Sequence, residues 1–341
     1  MNDNTPPQKT PSRRTRYLAA AAAALVLTGG GAIGYVLVAG EDTSDCGSLS
    51  SGPALRRSLG DAYREDMDCA APGTAIRGAT TGATPGHHTI AEARAMQTAL
   101  TAIAEDIDRR QDPVVAADLR APLAAALVDY AQDTQEILNG VNGEYTRRED
   151  DEPWRDGSTV RMPTPTDDLV KVLRALSDDP AAYADLRAAH VRQCPTHLAE
   201  VPAQATGARY TWPARNCAAG LGYLDGIADD IPKSRTEQWR ADVLLRLKDT
   251  ADNAPSYEAN AVRHISSSWQ QQVIEQVDAH QPRFLQNDST RVIEIWATAR
   301  GQDTDSKEVN ALQHKTANDG STSLVETEET LRCARNPTEC G

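Results

Sequence analysis

Residues 90–107 read IAEARAMQTALTAIAEDI, with apolar side chains at Ile90, Ala93, Met96, Leu100, Ile103 and Ile107. Spacings of three and four put these on one stripe of a helix, where a strand would alternate them. The whole chain agrees with that stretch. Only 4% of its 341 residues are aromatic, Phe284 is its single phenylalanine, and Ala-rich runs such as Ala121–Leu127 recur. Alanine is the best helix former, whereas strands favour aromatic and β-branched side chains. The predicted fold class is therefore all-α, a multi-helix bundle.

Working outward, Asp112-Pro113 supplies a cap followed by proline at the first helical position. It predicts a helix reaching Leu138, kinked at Pro122 and stopped by Gly140. Residues 140–166 read as a long loop around RREDDEPWRDG, where charge, Pro and Gly oppose regular structure. Trp154 is out of place there and either docks into the fold or meets a partner. Leu169, Val172, Leu173 and Leu176 then mark an apolar face, and Asp179-Pro180 opens another helix as Asp112-Pro113 does. Seven of ten positions agree between these two starts at an offset of 67. Shared helix-start chemistry accounts for that, with a duplicated helical hairpin as the alternative. Ser234 and Glu237 form a capping box before Trp239, Val243, Leu244 and Leu247. Val262, Ile265, Trp269, Val273 and Val277 mark a further long helix. Arg291–Ala297, RVIEIWA, is the one strand candidate and reads equally well as helix. Short helices near Ser306–Lys315 and Leu324–Cys333 complete the helical domain, 89–341.

Upstream the chain changes character. Tyr17–Ala39 is 23 residues without a charge. As a helix it spans roughly 34 Å, enough for a hydrocarbon core of about 30 Å. Arg13, Arg14 and Arg16 precede it and Glu41, Asp42 and Asp45 follow. The predicted arrangement is a disordered basic cytoplasmic tail (1–16), a transmembrane helix (17–39) and an exoplasmic remainder. A signal peptide cleaved after Gly40 is the alternative. Gly30 and Gly34 have the spacing that lets two such helices pack closely, so a homodimer is open. Residues 40–88 read as a post-membrane helix, Pro53 to about Met67, and then a flexible Gly/Thr/Pro stretch, 70–88.

Six cysteines follow the apolar segment: Cys46, Cys69, Cys194, Cys217, Cys333 and Cys340. An even count on the exterior side predicts disulfides. Cys46 to Cys69 and Cys194 to Cys217 are each separated by 23, and Cys333 to Cys340 by seven, which suggests three local pairs. A zinc alternative uses His190, Cys194 and His197 on one helix face, but Pro195 interrupts that helix and no paired-ligand motif supports it.

The stretch DLVKVLRALSDDPAAYADLRAAH, Asp168–His190, resembles segments of uncharacterised exported or membrane-anchored proteins of high-GC Gram-positive bacteria. It covers a small part of the chain and contains no distinctive motif. The resemblance implies a helical exoplasmic domain and assigns it no chemistry.

The formal charge is -14, while the segment before Tyr17 is basic, so the acid is concentrated in the remainder. Such a surface excludes nucleic acid, whose phosphates need concentrated Lys and Arg. Neither G-x-S-x-G nor S-x-x-K occurs, and Gly220-Leu-Gly222 lacks the third glycine and preceding strand of a phosphate loop. His264 before Ser266–Ser268 reads as a surface histidine, and Asp225 with Asp229 as an ordinary acidic pair. No catalytic, metal or cofactor residues are assigned. The expectation is a membrane-anchored binding or accessory protein of the cell envelope, within a secretion or sensing assembly and with a protein partner. The alternative is a cell-surface hydrolase whose site is dispersed in sequence.

Overall fold

The computed structural model describes residues 70–140, 142–148, 151–281 and 285–340. The Tyr17–Ala39 segment with Gly30 and Gly34, the helix at Pro53–Met67, and Cys46 with Cys69 all lie outside those residues. Among the described residues no helix is long and apolar enough to cross a membrane.

The described chain is mostly helical, as its alanine content dictates. In order come α1 (Ala70–Thr80), α2 (Ile90–Arg110), α3 (Ala117–Asp129), α4 (Ala131–Asn139) and the short α5 (Gly143–Arg147). A hairpin, β1 (Trp154–Asp156) with β2 (Thr159–Arg161), precedes α6 (Thr166–Leu176), α7 (Pro180–Ala199) and α8 (Ala208–Asp229). The chain then forms α9 (Thr236–Asp249), α10 (Ala261–Gln276), α11 (Asp288–Ala299) and α12 (Lys307–Arg335).

Helix α7 is the hub. Its start follows the expected chemistry: the Asp179 carboxylate accepts the N–H groups of Ala181 at 2.9 Å and Ala182 at 3.4 Å, and Pro180 needs no acceptor. It is buried on nearly every side, and Ala182, Ala184, Ala188 and Ala189 let α3, α4, α8, α9 and α10 close around it. The helix continues through Pro195 to Ala199, against the expectation of a break. Fixed packing supplies what the missing N–H removes. The disulfide Cys194–Cys217 ties this turn to α8, and the Trp296 indole donates to the Leu198 carbonyl at 3.1 Å. Arg300 caps the carbonyls of Val201 and Pro202 just beyond, at 2.6 and 2.9 Å.

Other departures have physical causes. The helix expected from Asp112 begins only at Ala117. Val114 and Val115 stay non-helical because Arg110 and Arg120 take their carbonyls, at 2.5 and 3.2 Å. The break falls at Tyr130, between α3 and α4, and α3 runs through Pro122. Pro122 and the Asp118 carbonyl form a notch into which Gly73 of α1 fits; a Cβ there would lie 3.1 Å from both. That packing, with Ile76 buried beneath, makes 70–80 helical where composition predicts a flexible stretch. The starts at Asp112 and Asp179 thus differ in structure, which leaves the duplicated hairpin without support. The Ser234 capping box is absent too: α9 starts after Arg235 with no side-chain cap. Arg291–Ala297 is helix, inside α11, and the strands lie instead in the expected loop, turned by Gly157 at φ 62°.

The two short helices expected near the C-terminal end are one helix of 29 residues, α12, capped by Ser306. Its centre, Asn318-Asp-Gly-Ser321, is poor helix-forming sequence held by α8. A Cβ on Gly222 of α8 would lie 2.1 Å from the Gly320 carbonyl, and one on Gly226 would lie 2.6 Å from Thr327 Cβ. The two backbones touch because α8 presents hydrogen where any other residue would present carbon.

Candidate functional site

On α7, Tyr183, Arg187, His190 and Cys194 follow one another at spacings of three and four on one helix face. Arg187 is wholly buried. Its Nη2 donates to Asp225 at 2.7 Å, to Asp288 at 2.9 Å and to the Leu285 carbonyl at 3.2 Å. Its Nε donates to Asp288 at 3.1 Å, and its Nη1 to the Tyr183 hydroxyl at 2.8 Å. Tyr183 in turn donates to the Leu224 carbonyl at 3.1 Å. Burial alone would lower the Arg187 pKa, but Tyr183, Asp225 and Asp288 reverse that and raise it. Burial pushes Asp225 up to about 7, with Arg187 opposing and Asp288 adding to the rise. Asp288 is raised in the same way. Arg291 also stands 3.6 Å from Asp288, so the two carboxylates face two guanidinium groups, and it is chiefly burial that favours their protonated forms. Chemically this is a structural node joining α7, α8 and α11.

His190, one turn on, is buried with its Nε2 unpartnered, and a Cβ on Gly220 would meet that atom at 2.3 Å. Burial and then Arg187 hold its pKa down to about 3, so it is a neutral core residue. With Cys194 in the disulfide to Cys217, the zinc alternative with His197 is not available. Cys333 and Cys340 also form their expected bond.

A second polar cluster fastens the 140–166 segment. Tyr145 of α5 donates to Asp133 of α4, which also accepts the Met162 N–H at 3.3 Å. Burial raises Asp133 to about 6, against the lowering effects of Tyr145, Arg161 and the Met162 N–H. Arg161 lies 3.6 Å from Glu136 and 3.4 Å from Asp156. Trp154 packs half-buried, edge-on to Tyr145 at 5.0 Å, with the Arg148 guanidinium 5.3 Å from its ring centre. It is docked into the fold.

Open surfaces also occur among the described residues. An acidic groove of about 780 Å³ lies between α6, α8 and α12, rimmed by the Cys333–Cys340 bond. Its charges are engaged internally: Lys171 meets Asp108 at 2.8 Å, Tyr223 donates to Glu326 at 2.6 Å, and Thr330 to Asp167 at 3.0 Å. A cavity of about 470 Å³ lies where α7 meets α10. On α8, Trp212 is 52% exposed, the Arg215 guanidinium sits 6.0 Å from its ring, and Asp319 of α12 holds Arg215 through two hydrogen bonds at 2.6 and 2.9 Å. Among the described residues, no group of three or more His, Cys, Asp and Glu is placed to hold a metal ion. No protein-family model, curated protein or solved structure matches the chain.

The structure thus brings together residues that sequence reading left apart. Arg187 and Asp288 are 101 positions apart, and Asp225 reads as half of an ordinary helix-surface pair with Asp229. The signal available was a charged residue inside an alanine run: Arg187 interrupts an otherwise apolar face, so it needs buried partners. Trp212 had a simpler signal, an indole between Thr211 and Pro213 at the start of a helix. His264, set before three serines, points elsewhere: its Nδ1 lies 2.7 Å from the Pro255 carbonyl.

Proposed function

We propose that the chain is a membrane-anchored binding or accessory protein of the cell envelope, with its helical domain on the exoplasmic side. It serves there in an assembly with a protein partner, of the kind that secretion or sensing requires. The charge-free Tyr17–Ala39 segment, with arginines before it and acids after it, supports the anchor and its orientation. The two disulfides support an oxidising compartment.

The observation that carries the binding role is Trp212 with Arg215. Tryptophan and arginine are the side chains most enriched at the energetic centres of protein interfaces, and this pair is exposed and already oriented by Asp319. Among the described residues, the buried carboxylates Asp225 and Asp288 are bonded to Arg187, and Asp133 to Tyr145. Crosslinking in native cells, followed by purification from membranes, tests the reading. One reproducible protein in near-equal amount, lost in Trp212→Ala, supports it; recovery of a second copy alone makes the assembly a homodimer. Recovery of the unaccompanied chain sinks it.

The hydrolase alternative has one observation in its favour. Asp225, held near neutral pH, borders a hollow of about 200 Å³ with Ser289 and Gly320. Ligand pockets span roughly 300–1,000 Å³, and the Asp225 carboxylate is already bonded to Arg187. The binding reading is the better supported.

A further inference from the structure

Residues 81–89, which join α1 to α2, read TGATPGHHT, a composition of loops open to solvent. Residues 83–87 are exposed. His88 departs from that pattern, with a side chain only 2% exposed. Its ring lies flat on that of Tyr130, the centroids 3.7 Å apart and the planes 7° from parallel. Asp129 and Tyr130, where α3 gives way to α4, also hold the chain just before it. The Gly86 N–H donates to Asp129 at 2.8 Å, and the Tyr130 hydroxyl donates to the Thr80 carbonyl at 2.7 Å.

This seat suits a neutral imidazole. Both ring nitrogens are buried, and neither has a hydrogen-bond partner. Nδ1 stands 3.8 Å from Asp129 Oδ2, beyond hydrogen-bond reach. An imidazolium carries two N–H donors, and here both would be stranded away from water. The charges around the ring oppose one another. Asp129 of α3 and Glu92 of α2 favour the charged form, the neighbouring His87 disfavours it, and Asp133 of α4 acts on Tyr130. Asp129 is already bonded to Gly86, and Glu92 accepts the Thr89 N–H at 2.7 Å. Burial outweighs them and lowers the His88 pKa.

We propose that His88 is a proton-operated latch: neutral, it keeps residues 81–89 seated on Tyr130, and on gaining a proton it leaves the seat and releases the segment. The sign follows from where the proton binds better. A released His88 titrates at about 6.5 and the seated ring below that, so closure is strongest above about pH 7 and weakens as pH falls through about 6.5. Between about pH 7.5 and 5.5 the released fraction should rise by up to about tenfold. Release bares Tyr130, which is 1% exposed while the latch is closed.

Hydrogen exchange of the full-length protein in nanodiscs tests it, read by mass spectrometry at about pH 7.5 and 5.5 and corrected for intrinsic rates. Peptides covering residues 81–89 should lose protection on acidification by up to that factor, while α7 keeps its own. Exchange of the imidazole C2–H, resolved by fragmentation, reports the His88 proton in the unaltered chain and should titrate below about 6.5. His88→Phe keeps a ring for Tyr130 and cannot be protonated, so its segment should stay protected at both pH values. His87→Gln should respond as wild type does. Equal protection of the segment at the two pH values overturns the latch, and so does an undiminished response in His88→Phe. Tighter protection at the lower pH, or a C2–H midpoint above about 6.5, would mean that Asp129 grips the imidazolium, and overturns the proposed direction. If His88→Phe does not fold, the C2–H midpoint decides alone.

Discussion

Replacing Gly222 with alanine tests the account of the α8–α12 contact most directly. The added Cβ would lie 2.1 Å from the Gly320 carbonyl oxygen, against backbone that has no rotamer to change. The helices must part by about 1 Å, and a gap of that size forfeits a quarter to a half of the dispersion attraction of the atoms involved. Overpacking of a filled core costs about 1–3 kcal/mol. Alanine returns up to about 1 kcal/mol through its better helix propensity. Because α8 packs more extensively on α12 than on any other helix, the losses extend along the whole contact. The net expectation is a destabilisation of about 1–2 kcal/mol, or a fall of roughly 2–8 °C in Tm for a domain of this size. Circular-dichroism melting and urea titration of the full-length protein measure it. Two controls sharpen the test. Gly320→Ala, whose Cβ would sit 3.3 Å from the Ala218 carbonyl and 3.6 Å from Ser289 Oγ, should be far milder. Gly78→Ala meets nothing within 4 Å and should stabilise α1 slightly. If Gly222→Ala melts no lower than Gly320→Ala, the close approach of backbones is not what holds these helices.

Arg187→Ala removes the hydrogen-bonded cation of Asp225 and leaves Asp288 only Arg291 at 3.6 Å, and should cost about 3–5 kcal/mol in urea titration; the triple replacement Arg187→Met, Asp225→Asn, Asp288→Asn should recover much of that. Recovery of nothing would show that the node is needed for shape beyond charge. Asp133, raised to about 6 by burial, holds its proton more tightly folded than unfolded, so its contribution to stability falls as pH rises from about 4 to 6. Asp133→Asn should remove that slope from the pH dependence of the urea midpoint; parallel curves for the two proteins would contradict the assignment. Removing the Cys194–Cys217 bond as the double Ala variant should cost about 3 kcal/mol by freeing a loop of 23 residues in sequence separation, a larger loss than removing Cys333–Cys340, with its separation of seven. Equal losses in urea titration would argue against the loop-entropy account.

What the residues revealed in advance was local. The stripe from Ile90 to Ile107, the Asp179 cap and the cysteine spacings each depend on neighbours a few turns away, and the helical fold and both described disulfides follow from them. The misreadings arose where distant partners decided. Nothing near Gly320 says that Gly222 will lie against it, so its weak helix formers read as a gap between two helices. Val114 and Val115 follow a good cap yet stay non-helical, because two arginines claim their carbonyls. At the Arg187 node the residue types were visible, but their convergence depends on α7, α8 and α11 meeting, which no local pattern encodes.

The glycine face of α8 also bears on how the chain reaches this state. Arg215 and Asp319, which flank that face, are separated by 104 positions. During N-to-C synthesis or export, α8 emerges with a bare strip of backbone well before its principal partner exists. Until residues near Gly320 arrive, nothing with the right shape can cover it, and such long-range closure is intrinsically slow. A chain interrupted upstream of α12 would therefore be left holding an adhesive edge, open to another interrupted copy. Cellular quality control would meet the protein first as a sticky intermediate and only later as a finished fold.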